Sequence, residues 1–146
     1  MGIVLLSAER SKDPYKQVGA CIVNEDNKIL SIGYNGFPRG CSDDEIPWDK
    51  EGDYINTKHA YVCHAELNAI LNYTGTTIKN SKIYLFEFPC NECTKAIIQS
   101  GIKEIIYMQD KCSDRENIYV SKKMLDMAGV KYTQYKSRGM KVTLEL

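Results

Sequence analysis

The sequence predicts a three-layer α/β/α fold, in which a mixed sheet of five or six strands carries helices on both faces. Two observations lead there. The chain begins with two β-rich runs joined by a short polar turn, which is an antiparallel hairpin, and from residue 64 onward helical and strand periodicities alternate, which generates parallel strands. A third observation fixes the scale. Over 146 residues there is no repeat, low-complexity stretch or linker, so one domain of residues 1–146, able to bury its own core, is expected.

Residues 3–10 read as a short helix, ended by the turn-prone segment 11–14. Residues 18–24 and 28–34 are the hairpin strands, with Glu25-Asp26-Asn27 between them. Residues 35–63 lack periodicity and are rich in glycine, proline and acids. A connection of that length inside a compact domain is more often functional than idle, so it is expected to wall a functional site. Residues 64–72 carry Leu67, Ile70 and Leu71 at helical spacing, 82–88 read as a strand, and 90–100 as a helix stopped by Gly101. A strand over 102–108, a helix over 116–128 closed by Gly129, and strands over 130–136 and 141–146 complete the pattern.

Composition narrows the function classes. Lysine plus arginine, 19, equal aspartate plus glutamate, 19, so there is no basic excess of the kind that draws proteins to a polynucleotide. The apolar start, residues 1–6, is too short to cross a bilayer and develops no signal-peptide pattern; no membrane association and a cytoplasmic or nuclear location are expected. The six cysteines suggest no disulfide framework, which fits a reducing compartment.

Two of those cysteines carry the chemistry. His64-Ala65-Glu66 is followed, twenty-three residues after Glu66, by Pro89-Cys90-Asn91-Glu92-Cys93. His64, Cys90 and Cys93 would give Zn2+ three protein ligands, one zinc per chain, and leave the fourth tetrahedral position for water and hence for catalysis. Zinc polarises such a water strongly enough to make it a nucleophile near neutral pH. Glu66 is not needed for coordination and is free to move protons. Hydrolysis at an amidine carbon needs one proton on the ring nitrogen and another on the departing amine, and a single carboxyl can deliver both. His-x-Glu with Pro-Cys-x-x-Cys is the signature of zinc nucleobase deaminases. Both motifs open helices, whose free amides and positive dipole ends favour thiolates.

Further stretches extend the likeness beyond that signature: Arg10-Ser11-Lys12-Asp13-Pro14, Gln17-Val18-Gly19-Ala20-Cys21-Ile22-Val23, Gly33-Tyr34-Asn35-Gly36, Gly40-Cys41-Ser42-Asp43-Asp44 and Tyr61-Val62-Cys63-His64-Ala65-Glu66-Leu67-Asn68-Ala69-Ile70. With these, the chain from Arg10 to about Val130 resembles the deoxycytidylate (dCMP) deaminases of the cytidine-deaminase-like superfamily, eukaryotic type. The resemblance implies hydrolysis of dCMP to dUMP and ammonia, feeding thymidylate synthesis. It also implies a homohexamer activated by dCTP and inhibited by dTTP, with Mg2+ bridging the phosphates of a triphosphate effector.

By the same resemblance Asn35 matches a strand-end asparagine that touches the pyrimidine nucleoside, and backbone at Ala65 would read the exocyclic amine. Ser11, Lys12, Arg115 and Lys122 are candidates for the substrate phosphate. The loop 33–40, through Asn35, Gly36, Arg39 and Gly40, corresponds to the effector-binding segment. Three departures stand out: a shorter first helix, a divergent segment 111–123 with Cys112 where an aromatic residue is expected, and His59-Ala60 where the family has an aromatic residue and proline. His59 is therefore a candidate for a second metal contact. Two other readings stay open: deamination of another cytosine substrate such as dCTP, cytidine or a base in a polynucleotide, and a silent zinc-binding regulatory homologue.

Overall fold

The opening hairpin forms as the sequence predicts, with β1 (Gly19–Val23) antiparallel to β2 (Ile29–Tyr34) in a computed structural model that describes residues 1–110, 115–139 and 141–143. Its turn closes through Asn24, whose N–H donates to the Lys28 carbonyl and whose Oδ1 accepts from the Lys28 N–H, and through Asn27 at φ 61°. Asparagine tolerates that left-handed backbone better than most side chains.

A helix α1 (Gly2–Ala8) precedes the hairpin. After it come α2 (Ala65–Leu71), β3 (Lys82–Glu87), α3 (Asn91–Gln99), β4 (Glu104–Gln109), α4 (Arg115–Ala128) and β5 (Lys131–Gln134). The sheet order is β2-β1-β3-β4-β5, antiparallel up to β3 and parallel from β3 to β5. The described sheet thus has five strands. Residues 141–143 belong to none of them, against the expectation of a strand over 141–146, and 144–146 lie outside the described residues. Among the described residues no helix is long and apolar enough to cross a membrane.

Side-chain alternation along the strands builds two unequal cores. Ala20 and Ile22 of β1, Ile83 and Leu85 of β3 and Ile105 and Tyr107 of β4 pack against Ala65 and Ala69 of α2, Ile97 of α3 and Ile118 and Leu125 of α4. The intervening residues Cys21, Val23, Tyr84 and Phe86 meet Val4 of α1 and Met1. One face therefore carries three helices and the other carries α1, as the period-two pattern of a sheet covered on both sides requires.

The buried face of α2 differs from the one its leucines suggest. Ala65 and Ala69 are fully enclosed, whereas Leu71 is 68% exposed. Gly33 on β2 explains the choice, because a Cβ there would come within 2.2 Å of the Ala65 carbonyl oxygen and 2.3 Å of the Ala69 amide nitrogen. Helix and strand approach so closely that only small residues fit between them. This contact sets the position of the α2 N-terminus and with it His64.

Candidate functional site

His64 and Cys90 occupy equivalent places, each in extended backbone at the N-cap of a helix, α2 and α3 respectively. Cys93 lies one turn into α3, so the two sulfurs share the end of one helix, and its N–H donates to the Cys90 Sγ at 3.5 Å. The chain reaches Cys90 from β3 through Phe88 and the fully buried Pro89. The site therefore sits beyond the carboxyl end of a central strand, where open α/β sheets place their ligands.

His64 Nδ1 is 3.5 Å from Cys90 Sγ and 3.4 Å from Cys93 Sγ. Two donors at ordinary zinc distances and a tetrahedral angle stand about 3.6 Å apart, so this nitrogen and these sulfurs have the spacing that zinc demands. All three ligand atoms lie within 4.8 Å of one another, and among the described residues no other histidine, cysteine or acid joins them. The hydrogen bond from the Cys93 thiol brings Cys90 down to about 4, with His64 helping against burial. That same bond, together with burial, pushes Cys93 up. His64, Cys90 and Cys93 would hold a dication, and its charge would keep both sulfurs as thiolates.

Glu66, second in α2, is only 8% exposed and is outside this ligand set. Burial raises its carboxyl above the usual range, against the charge of His64. It faces the same cleft as His64, Cys90 and Ala65. A buried carboxyl facing the cleft accepts a proton more readily than an exposed one, which suits it to proton transfer.

The opposite wall comes from the segments before β1 and after β2. Asn35 spends its side chain on this wall: Oδ1 accepts from the Val18 N–H at 2.8 Å, and Nδ2 donates to Asp13 Oδ2 at 3.1 Å and to the Lys16 carbonyl at 2.9 Å. Asp13, 2% exposed, also pairs with Lys58, 7% exposed, in a short contact. Burial opposes the Asp13 charge, but hydrogen bonds from Lys58 and from the N–H groups of Tyr15 and Lys16 outweigh it and hold the carboxyl below its ordinary range. Lys58 arrives from the 35–63 connection, in a 3-10 turn Lys58–Ala60 that follows another at Tyr54–Asn56, so this stretch does wall the cleft.

The remaining predicted residues divide. Asn35, Ala65 and His59 line the cleft, but His59 is not in the metal cluster. Ser11 does not line it; its hydroxyl is buried and donates to the Asn35 carbonyl at 2.8 Å. Neither Lys12 nor Lys122 lines it: Lys12 pairs with Asp43, and Lys122 pairs with Asp110 at 3.1 Å, with its ammonium 5.1 Å from the Phe88 ring centre. The Arg115 side chain and Cys112 lie outside the described residues. Gly36 has both backbone groups bonded to Cys63, at 3.1 and 2.9 Å, while Arg39 and Gly40 are exposed. Sequence reasoning missed Lys16, Lys58 and Glu87 as cleft residues. Lys58 joins Asp13 across 45 positions, a pairing that local periodicity cannot reveal.

One nitrogen and two sulfurs at tetrahedral spacing, beside a buried carboxyl that is not a ligand, define the centre of a zinc-dependent hydrolase. The family model described as Cytidine and deoxycytidylate deaminase zinc-binding region matches residues 1–109. The deoxycytidylate deaminase of Homo sapiens is 50% identical over 146 residues, 99% of this chain and 82% of the human one, and that of Mus musculus is 49% identical over the same span. Among solved structures, the dCMP deaminase from the cyanophage S-TIM5 in complex with dCMP and dUMP superposes with a TM-score of 0.71 at 25% identity, covering 92% of each chain. The chain belongs to the cytidine and deoxycytidylate deaminase family, and His64, Cys90 and Cys93 form its zinc site.

Proposed function

We propose that this protein hydrolyses dCMP to dUMP and ammonia. The observation that carries the reading is Glu66, buried and protonatable, set against the histidine and two cysteines without being one of the ligands. Half-identity to deoxycytidylate deaminases across nearly the whole chain supports the choice of substrate. When bound, zinc supplies Lewis-acid activation of water.

The protein's own residues do the rest. Glu66 takes a proton from the attacking water and delivers it to the ring nitrogen N3, as the water oxygen bonds to C4. It then takes the remaining proton from the new C4 hydroxyl and passes it to the exocyclic amine, the C4–N bond breaks, ammonia leaves and the C4 carbonyl of dUMP remains. One carboxyl serves both transfers because it lies in the cleft beside the ligands without being one of them, and burial eases its protonation by raising its pKa. In this reading Ala65, which lines the cleft at the start of α2, presents backbone to the base, and Asn35 holds the wall formed by Asp13, Lys16 and Val18.

The proposal extends to control by dCTP as activator and dTTP as inhibitor in a homohexamer. The family resemblance of the loop 33–40 supports it, and Arg39 and Gly40 there are exposed to an incoming triphosphate and its Mg2+. The test is ammonia release from dCMP, dCDP, dCTP and cytidine by zinc-loaded protein. Preference for dCMP is the expected result. Turnover of none of them, or preference for a base in single-stranded nucleic acid, overturns it.

A further inference from the structure

We infer that Lys16 is the cation that meets the substrate's 5′-phosphate, and that Glu87 is the counter-ion it leaves in order to do so. The inference rests on the dCMP reading above and adds to it a residue pair that sets phosphate specificity.

A nucleoside monophosphate brings about two negative charges to the cleft, and a cation that can reach it is required. Among the described residues that line the cleft, the lysines are Lys16 and Lys58. Lys58 is buried and its charge is spent on Asp13, so moving it would strand a buried carboxylate. Lys16 is different. Its side chain is 53% exposed, and its Nζ lies 2.5 Å from the Glu87 Oε2. An exposed pair of this kind is weak, and a phosphate dianion can compete for the ammonium.

The two ends of the pair are built for exchange. The Lys16 backbone is fixed on both sides, its N–H donating to Asp13 Oδ1 at 3.2 Å and its carbonyl accepting from Asn35 at 2.9 Å, so the side chain alone is free to swing. Glu87 ends β3, three residues before the ligand Cys90, and its Oε1 accepts from Gln109 Nε2 at 3.3 Å. When Lys16 departs, the carboxylate keeps a partner. The same carboxylate, left without Lys16, would repel a phosphate at the cleft, so the pair admits an anion only through the lysine.

The experiment compares wild type, Lys16→Met, Glu87→Gln and the double variant, all zinc-loaded. Kinetics are measured on dCMP and deoxycytidine, and equilibrium binding on dUMP and deoxyuridine at two ionic strengths. In Lys16→Met, the ratio of kcat/KM for dCMP to that for deoxycytidine falls about tenfold, through KM, and dUMP affinity falls alike while losing much of its salt dependence. In Glu87→Gln the ratio rises severalfold, and that gain vanishes in the double variant. If both single variants weaken dCMP and deoxycytidine equally, the pair is a structural staple and the inference is wrong; if Lys16→Met leaves dUMP binding unchanged, it is also wrong. A wild type that fails to deaminate dCMP rejects the functional reading, and the dUMP arm still reports on Lys16.

Discussion

Asp13 and Lys58 form an ion pair inside the wall of the cleft, 45 residues apart in sequence and both almost fully enclosed. The pair ties the 35–63 connection to the segment before β1, and Asn35 hydrogen-bonds the same carboxylate. Breaking a buried pair from one side leaves an uncompensated charge. Lys58→Met is therefore expected to lower stability by about 3 kcal/mol, and adding Asp13→Asn should recover part of the loss. Urea denaturation of Lys58→Met, Asp13→Asn and the double variant checks this. Equal additive losses would show that the two residues act independently.

The Asp13 pair also has a pH signature. Its carboxyl titrates below the ordinary value in the folded protein, so the stability it contributes is complete above the unfolded pKa, about 3.9, and is lost as pH falls through the folded value. The stability difference between wild type and Asp13→Asn should stay level from about pH 7 to 5 and shrink below about pH 4. A difference that persists undiminished to pH 3 would contradict this.

Much of the site was legible before any coordinates, because its parts are local. Helix-opening positions of His64 and Cys90, the Cys90–Cys93 turn and the 24–27 hairpin all follow from spacing within a few residues. What escaped was set by distant partners. The closest approach of α2 to the sheet, at Ala65 and Ala69, is set by Gly33 from another element, while Ile70 packs against the same core as its spacing suggests. Lys16 and Glu87 are 71 positions apart, and either alone reads as an ordinary surface charge. Lys12, a phosphate candidate by resemblance, is instead paired with Asp43, 31 positions away.

Gly33 supplies a direct test of how the fold aims the metal ligand. Gly33→Ala places a methyl group into the Ala65 and Ala69 backbone, so α2 must shift and carry His64 with it. The expected outcome is a loss of about 1–3 kcal/mol in stability and weaker zinc retention under a competing chelator. Unchanged zinc retention would mean that the contact does not position His64.

Zinc itself should stabilise the fold, since its ligands lie on two helices and are brought together only in the native state. Chelation should lower the melting temperature and abolish turnover, and added Zn2+ but not Mg2+ should restore both. A melting temperature indifferent to chelation at full metal removal would count against the assigned ligands.

Effector control is tested separately. dCTP should raise dCMP turnover and dTTP lower it, and Arg39→Ala should blunt both effects. If neither nucleotide changes the kinetics or the thermal stability, the loop 33–40 is not an effector site here.

The central claim is that His64, Cys90 and Cys93 hold the metal while Glu66 moves the protons. The measurement closest to it is zinc content and ammonia release from dCMP in Glu66→Gln, side by side with wild type. The account predicts about one zinc per chain in both proteins and a fall in turnover of at least a hundredfold in the variant. Loss of zinc along with activity would make Glu66 a ligand, and retained activity would remove it from the chemistry; either contradicts the account.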